Sequence, residues 1–188
     1  MKYKTIIADP PWQYSNNGGN GAAENHYQTM ATAELCALPI DNIADDNSVM
    51  FLWATWSMLP DALRVIDAWG FRYVTGFPWV KIIGVPSQTL WGELEIKPHY
   101  GTGFWIRGAS EIVMIAKRGN ITAASGDFVG LLCKNGRHSR KPDSLYQIAE
   151  RYEGPYLELF ARRCRDGWDV YGNEVQSIKL DIDNNTNS

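Results

Sequence analysis

Cysteine is scarce in this sequence, and its few copies form no recognisable pattern. Cys36, Cys133 and Cys164 are odd in number and far apart, and the chain contains neither a C-x-x-C nor an H-E-x-x-H spacing. These absences exclude a disulfide framework and a zinc site, so we predict a protein without a metal.

Apolar runs are also short. None approaches the roughly 20 residues of a membrane-spanning helix, and none near the start resembles a signal peptide, so we predict no membrane association.

The net charge is modest, at −3 for 188 residues. Non-specific affinity for nucleic acid comes mainly from phosphate neutralisation, so this value excludes a protein that coats nucleic acid indiscriminately. A local basic stretch remains, because residues 134–141 contain four lysines and arginines and one histidine. Such a run is usually a solvated face, although beside a binding site it can also contact phosphates.

Glycine-rich nucleotide-binding motifs are missing as well. The segment 16–21 lacks the Gly-Lys-Ser/Thr ending of a P-loop. The pair Gly101-x-Gly103 is followed by Ile106 where a dinucleotide fingerprint needs its third glycine. The sequence therefore excludes both of these phosphate cradles.

The chain does contain an alternation of strand-like and helix-like segments. Apolar runs predict strands near 4–8, 48–54, 71–83, 111–117, 156–161 and 169–171, and amphipathic stretches predict helices at 31–38, 58–69 and 142–152. This alternation predicts an α/β fold with a mostly parallel sheet and helices on both faces. Ligands of such folds bind beyond the carboxyl ends of strands, so Asp9 and Arg162, which each follow a strand, should meet at one edge. We expect one domain over residues 1–175 and a polar, flexible tail at 176–188.

The first strand runs directly into the tetrapeptide Asp9-Pro10-Pro11-Trp12. The Asp9 carboxylate and the Pro10 carbonyl oxygen can each accept one N–H of an exocyclic amine, and the indole of Trp12 offers a face for a planar ring. The exocyclic amino nitrogen of adenine or cytosine is a poor nucleophile, because its lone pair is delocalised into the ring. Two acceptors would localise the lone pair and stabilise the positive charge that grows as the nitrogen attacks a methyl donor. The alternative interpretation is an ordinary turn, since Asp and Pro are common turn residues.

Further motifs follow in a characteristic order and spacing. They are His26-Tyr27-Gln28-Thr29-Met30, Phe51-Leu52-Trp53-Ala54-Thr55, Trp79-Val80-Lys81, Gly103-Phe104-Trp105, His138-Ser139-Arg140-Lys141-Pro142-Asp143, Leu157-Glu158-Leu159-Phe160-Ala161-Arg162 and Gly172-Asn173-Glu174. With the tetrapeptide, they resemble the S-adenosylmethionine-dependent adenine amino-methyltransferases that include the catalytic subunit of the mRNA adenosine methyltransferase (the MT-A family), in its phage and bacterial branch. The resemblance implies a Rossmann-like methyltransferase domain in permuted order, with the acceptor motif before the cofactor-binding half.

The resemblance also implies S-adenosylmethionine as the cofactor. It assigns Lys141 to the methionyl carboxylate, a pairing of opposite charges that is chemically reasonable, and lets Asp9 touch the cofactor's ammonium as well as the acceptor amine. The further cofactor contacts that it implies are Phe160, Arg162, Asn173 and Glu174. On the residues alone, Lys141 is equally consistent with a solvated lysine ahead of a helix, and Asn173-Glu174 with a turn.

Candidate contacts to the substrate lie in other segments. His26 and Tyr27 follow a polar, glycine-rich loop and are expected to cap the target base, and packing against the next helix is the alternative for Tyr27. Lys81 ends a strand near the site and is expected to meet a phosphate. Trp105 and Arg107 lie in residues 84–110, the longest irregular stretch of the chain, and stretches of that length are usually functional or disordered.

The leading hypothesis is therefore an enzyme that methylates the N6 amine of adenine in nucleic acid, with DNA favoured over RNA. The same reaction on RNA is one alternative, and a catalytically inactive nucleic-acid-binding relative that supports a partner subunit is another. Methylation of the cytosine amine suits the tetrapeptide but is disfavoured by the family resemblance. We expect a cytoplasmic protein of a bacterium or a phage-infected cell, and the sequence leaves open whether it forms a homodimer.

Overall fold

The computed structural model describes residues 1–14, 29–88, 91–92, 94–101, 105–124, 130–134, 141–172 and 175. In these residues the strands are β1 (Tyr3–Ala8), β2 (Ala44–Ala54), β3 (Arg72–Ile82), β4 (Ser87–Gln88), β5 (Leu94–Glu95), β6 (Ser110–Arg118), β7 (Leu131–Lys134), β8 (Tyr156–Leu159) and β9 (Trp168–Tyr171). The helices are α1 (Thr32–Ala37), α2 (Leu59–Ala68) and α3 (Ser144–Ala149), with short 3-10 turns at Ile40–Asn42 and Trp56–Met58.

Seven of these strands form one sheet in the order β7-β3-β6-β2-β1-β8-β9. Strand β6 is antiparallel to both of its neighbours, β2 and β3, whereas β1 is parallel to β2 and β8. The carboxyl ends of β1, β2, β3 and β8 therefore share one edge of the sheet. Because β6 runs the other way, its first residues lie at that same edge.

Hydrophobic cores cover both faces of the sheet. On one face, Leu35 of α1 and Ile66 of α2 pack with Ile6 and alternate residues of the central strands. On the other face, Leu145 and Tyr146 of α3 lie in a second cluster of buried residues. Neighbouring residues of a strand point to opposite faces, which explains why continuous apolar runs such as that of β1 are buried on both sides. The predicted fold, a mostly parallel sheet with helices on both faces, is confirmed.

Several elements differ from the sequence-based expectations. Helix α3 spans Ser144–Ala149 rather than 142–152, β8 ends at Leu159 rather than 161, and β7 was not among the predicted strands. Strand β2 begins at Ala44, four residues before the predicted start at 48, because Ala44 pairs with Tyr3 of β1 ahead of a register shift between the two strands. Residues 84–110, expected to be irregular, include the short β4–β5 hairpin. Helix α2 ends as predicted, where Gly70 adopts a φ of +76° that side chains with a Cβ rarely tolerate. The predicted tail at 176–188 lies outside the described residues.

Candidate active site

A cleft opens at the edge of the sheet where β1, β2 and β8 end. Its lining residues come from five segments of the chain: Asp9, Pro10, Pro11, Trp12, Tyr14, Trp53, Ala54, Thr55, Glu111, Lys141 and Arg162. All four residues of the predicted amine-binding tetrapeptide line it, and so do the predicted cofactor contacts Lys141 and Arg162. The structure thus brings two strand ends that are far apart in sequence into one site.

The backbone of the tetrapeptide is fixed by hydrogen bonds on both sides. The Asp9 N–H donates to the Leu159 carbonyl of β8 at 3.4 Å, and the Trp12 N–H donates to the Pro10 carbonyl at 2.9 Å. The Pro11 carbonyl accepts the Met30 N–H at 2.8 Å. A carbonyl oxygen has two lone pairs, so Pro10 can still accept a second hydrogen bond.

Trp12 is part of the core as well as of the cleft wall. Its side chain is 5% exposed, and its indole N–H donates to the Trp53 carbonyl at the end of β2 at 3.0 Å. The indole therefore ties the tetrapeptide to the neighbouring strand and gives the cleft a rigid aromatic side.

The polar centre of the cleft is a chain of alternating charges. The Lys141 ammonium lies 3.0 Å from Asp9 Oδ1 and 3.0 Å from Glu111 Oε2. The other oxygen of Glu111, Oε1, lies 2.5 Å from the ammonium of Lys81. Two carboxylates and two ammonium groups balance one another, and none of these side chains is more than a quarter exposed.

Burial and neighbouring charges shift the protonation of each member of the chain. Burial raises the pKa of Asp9, and the nearby Glu111 carboxylate raises it further against the opposing effect of Lys141. Burial acts in the same direction on Glu111, but two ammonium groups outweigh it and hold the pKa of Glu111 below its usual range. Burial alone would lower the pKa of Lys141, whereas Asp9 and Glu111 raise it above its ordinary value. Lys141 is therefore firmly protonated, and burial makes the Asp9 carboxylate easier to protonate than an ordinary aspartate.

Two indoles lie under the ammonium groups. Lys141 is 5.4 Å from the ring centre of Trp53, and Lys81 is 4.9 Å from that of Trp79. The two rings meet edge to face with centres 5.6 Å apart. The aromatic faces add cation–π attraction and restrict where each ammonium can lie.

A further carboxylate, that of Glu158, flanks the cleft on the β8 side. Glu158 pairs in register with Ile7, so it neighbours Asp9, and it accepts a hydrogen bond from the Tyr146 hydroxyl at 2.7 Å. Burial raises the pKa of Glu158. The guanidinium of Arg165 lies 4.3 Å from the Tyr146 ring centre. This arrangement places an acceptor and a cation beside the end of β8.

The turn after β8 is tightly packed. Phe160 has a φ of +62°, uncommon for a residue with a side chain, and packs against the core. The Ala161 N–H donates to the Tyr171 carbonyl at 2.9 Å. A Cβ on Gly172 would lie 2.2 Å from the Ala161 oxygen, so only glycine fits there. The predicted cofactor contacts Asn173 and Glu174 follow directly but lie outside the described residues.

The predicted substrate contacts do not line the cleft in the described part of the chain. The side chain of Trp105 is 98% exposed, and the Arg107 guanidinium lies 5.8 Å from the Tyr100 ring centre. Their loop is closed by a hydrogen bond from the Gly101 N–H to the Gly108 carbonyl at 2.8 Å. Lys81 is paired with Glu111, as described above. His26 and Tyr27 lie outside the described residues.

Two carboxylates of this site, Glu111 and Glu158, were not predicted from the sequence as site residues. Each offered the same signal, namely a charged residue in an otherwise apolar strand segment, and such residues are seldom buried without a partner. Glu158 stands between the buried Leu157 and Leu159, and Glu111 precedes the buried Ile112.

Among the described residues, no helix is both long and apolar enough to cross a membrane. The same residues contain no group of at least three His, Cys, Asp or Glu side chains placed to hold a metal ion.

Comparison with known proteins gives consistent matches along the chain. The family model described as MT-A70 matches residues 3–174. The Type II methyltransferase M.MunI of Mycoplasma sp is 29% identical, over 96% of this chain and 81% of that protein. The N(6)-adenosine-methyltransferase MT-A70-like of Arabidopsis thaliana is 27% identical, and the human N(6)-adenine-specific methyltransferase METTL4 is 28% identical. The match covers 95% and 92% of this chain, respectively, but only 24% and 37% of those two longer proteins.

Proposed function

This chain belongs to the MT-A70 family, as its motifs predicted, and we propose that it transfers a methyl group from S-adenosylmethionine to the N6 amine of adenine in DNA. The observation that carries the proposal is the position of Asp9. Its carboxylate lies in the cleft, at the end of β1, beside a proline carbonyl with a free lone pair and an aromatic wall. Enzymes with adenine methyltransferase names are among the relatives, which supports the reaction class.

The residues of the cleft fit the proposed cofactor. S-adenosylmethionine supplies a methyl group on a sulfonium and carries a carboxylate, an ammonium and ribose hydroxyls. Lys141 and Arg162 are the cations that suit the carboxylate, and Asp9 with Glu111 are the acceptors that suit an ammonium. Glu158 is an acceptor suited to hydroxyls at the adjacent strand end. Phe160, Asn173 and Glu174 complete the cofactor contacts that we propose.

In the proposed mechanism, the protein orients the amine and leaves the attack to its nitrogen. Asp9 and the Pro10 carbonyl each accept one N–H, which localises the nitrogen lone pair and sets its direction. Trp12, held by its hydrogen bond to Trp53, forms the wall against which the purine ring lies. The amine loses one proton as the N–C bond forms, and Asp9, with its raised pKa, is placed to receive it.

The proposal of DNA over RNA is supported by the match with the Type II methyltransferase M.MunI of Mycoplasma sp, which extends over 96% of this chain and 81% of that protein. A target adenine within a duplex must be flipped out of the stack before Asp9 can reach it, at an expense of a few kcal/mol. We propose that His26 and Tyr27 cap the flipped base and that Trp105 and Arg107 contact the surrounding strand. Such a substrate would place the enzyme in the cytoplasm of a bacterial or phage-infected cell.

The surface around the long loop also bears on assembly. Its exposed large hydrophobic side chains include Ile83, Val85, Trp91, Trp105 and Ile106. Exposed apolar side chains of this kind are the ones that a homodimer would bury, and sedimentation with and without DNA would distinguish a dimer from a DNA-bound monomer. We retain residues 1–175 as a single methyltransferase domain and 176–188 as its tail.

The test is transfer of labelled methyl from S-adenosylmethionine to single-stranded DNA, duplex DNA and RNA of matched sequence, followed by nucleoside analysis. We expect N6-methyladenine in DNA, and none from Asp9→Ala at equal cofactor concentration. Product on RNA alone would favour the RNA alternative, and N4-methylcytosine would overturn adenine as the target. Cofactor binding without transfer to any polymer would support the inactive relative that acts with a partner subunit.

A further inference from the structure

Lys81 lies outside the cleft and touches it through one residue. Its ammonium is 2.5 Å from Glu111 Oε1, and Lys81 is not among the residues that line the cleft, whereas Glu111 is. Glu111 is thus the cleft residue with which the Lys81 ammonium forms its ion pair.

The backbone of Lys81 is fixed on both sides of its strand. Its N–H donates to the Ala109 carbonyl at 2.7 Å, and its carbonyl accepts the His99 N–H at 2.8 Å. The side chain lies over Trp79 and is 24% exposed. The ammonium is thus held at one place next to Glu111. A lysine that contacts a phosphate would instead need its side chain free to extend from the surface.

Glu111 competes with Asp9 for the ammonium group of Lys141. Lys141 is 3.0 Å from both Asp9 and Glu111, so its position depends on how strongly each acid attracts it. With Lys81 on its other oxygen, Glu111 already has a counter-ion, and Lys141 remains within reach of Asp9. Without Lys81, Glu111 would either draw Lys141 away from Asp9 or take up a proton.

From this geometry we propose that Lys81 is a positioning residue, which balances the charge of Glu111 so that Lys141 stays beside Asp9. This inference rests on the proposed methyl transfer for its kinetic part. It assigns Lys81 a role different from the phosphate contact predicted from the sequence, and the two roles have different measurable consequences.

The charged groups that face Glu111 define the expected pH dependence. They are Lys81 from β3, Lys141 from the segment before α3, and Asp9 from the end of β1, with Arg162 acting on Asp9 from the end of β8. An adjacent opposite charge lowers the pKa of an acid by about one to three units. Removal of Lys81 should therefore raise the pKa of Glu111 and, as Lys141 shifts toward Glu111, raise the pKa of Asp9 further, which moves the acid limb of the rate profile upward by about one pH unit.

The experiment is a double-mutant cycle with Lys81→Met, Glu111→Gln and the double variant. We expect Lys81→Met to lower kcat/KM about tenfold at pH 7 in the wild-type background and to have little further effect when Glu111→Gln is present. Lys81→Arg, which keeps the charge, should recover most of the activity. Lys117→Met is the matched control, because Lys117 lies on β6 at the opposite edge of the sheet, and should leave kcat/KM unchanged.

Measurements of DNA binding distinguish a positioning role for Lys81 from a phosphate contact. For a positioning residue, the slope of log K against log salt for a fluorescent oligonucleotide is the same in Lys81→Met and wild type. Loss of one phosphate contact would reduce that slope by about 0.7 to 0.9 and weaken binding, which would overturn the proposal. Equal losses from Lys81→Met with and without Glu111→Gln would also overturn it.

Unfolding measurements test the interaction between Lys81 and Glu111 independently of methyl transfer. The same four proteins, unfolded in urea at pH 7, should show that Lys81→Met shifts the midpoint in the wild-type background and not in the Glu111→Gln background. If no protein transferred methyl but this coupling were present, the proposed function would fail while the Lys81–Glu111 interaction stood. Absence of coupling in both kinetics and unfolding would overturn the inference alone.

Discussion

Trp12 donates its indole N–H to the carbonyl oxygen of Trp53 at 3.0 Å, within a buried region of the protein. This hydrogen bond joins Trp12, which follows two prolines, to the end of β2. The aromatic member of the tetrapeptide is therefore held by the fold before any substrate arrives.

Replacement of Trp12 by Phe should destabilise the protein by about 1 to 3 kcal/mol, because it removes a buried hydrogen bond and leaves a cavity. Urea denaturation monitored by circular dichroism measures the change. Trp56→Phe is the control, since the Trp56 indole makes its hydrogen bond to Ser110 at an exposed position and should cost less than about 1 kcal/mol. Equal losses in the two variants would contradict the structural role of Trp12.

Replacement of Lys141 by Met should destabilise the protein most at neutral pH and less as the pH falls. In the wild type, two ammonium groups hold the pKa of Glu111 below its unfolded value, and Lys141 opposes the rise that burial causes in the pKa of Asp9. Without Lys141, the pKa of Asp9 rises further and only Lys81 still lowers that of Glu111, so a proton taken up at lower pH removes part of the repulsion between the two acids. At pH 7 we expect a loss on the order of 3 kcal/mol.

The check is urea unfolding of wild type and Lys141→Met at intervals between pH 4 and 7. Lys2→Met serves as the control, because its ion pair with Asp46 is exposed and spans 3.8 Å. Parallel stability curves for wild type and Lys141→Met would show that Lys141 is not coupled to the two acids.

Replacement of Gly172 by Ala should destabilise the turn after β8. The added Cβ would lie 2.2 Å from the Ala161 oxygen, a backbone atom that cannot move without displacing Phe160 and Arg162. We expect a loss of about 2 kcal/mol and weaker cofactor binding, measured by urea unfolding and isothermal titration with S-adenosylmethionine. Gly108→Ala, where nothing lies within 4 Å of the new Cβ, should leave both measurements unchanged.

The rate of methyl transfer should fall on the acid side at a pH above the ordinary pKa of aspartate. Burial raises the pKa of Asp9, and its ionised form is the acceptor that the mechanism needs. As the pH falls through this raised pKa, Asp9 takes up a proton and kcat/KM declines. A profile of kcat/KM against pH measures the limb, and a limb at or below about 3.9 would contradict the assignment.

Replacement of Trp105 by Ala should weaken DNA binding without loss of stability. The side chain is 98% exposed, so its removal leaves no cavity, and stacking on a base is worth about 1 to 3 kcal/mol. Fluorescence anisotropy with a labelled oligonucleotide should show a rise in Kd of about tenfold, at unchanged urea midpoint. Trp91→Ala, another exposed tryptophan, shows whether any loop aromatic has the same effect.

The parts of the site that depend on local sequence were predictable. Apolar periodicity located β1 and β8, and the rule that ligands bind beyond strand ends brought Asp9 and Arg162 to one cleft. Glu111 was not predictable in this way, because only pairing with two distant strands reveals that β6 runs antiparallel and begins at the same edge. The partner of Lys81 was missed for the same reason.

The loop that carries Trp105 leaves and rejoins the sheet at a single place. Lys81 at its start and Ala109 at its end are joined by a 2.7 Å hydrogen bond, and Glu111 stands two residues after Ala109. Its two ends are therefore clamped together regardless of what lies between them. A segment of different length or sequence could therefore be grafted between these two residues to alter the proposed DNA contacts, while Asp9 and Glu111 stay in register.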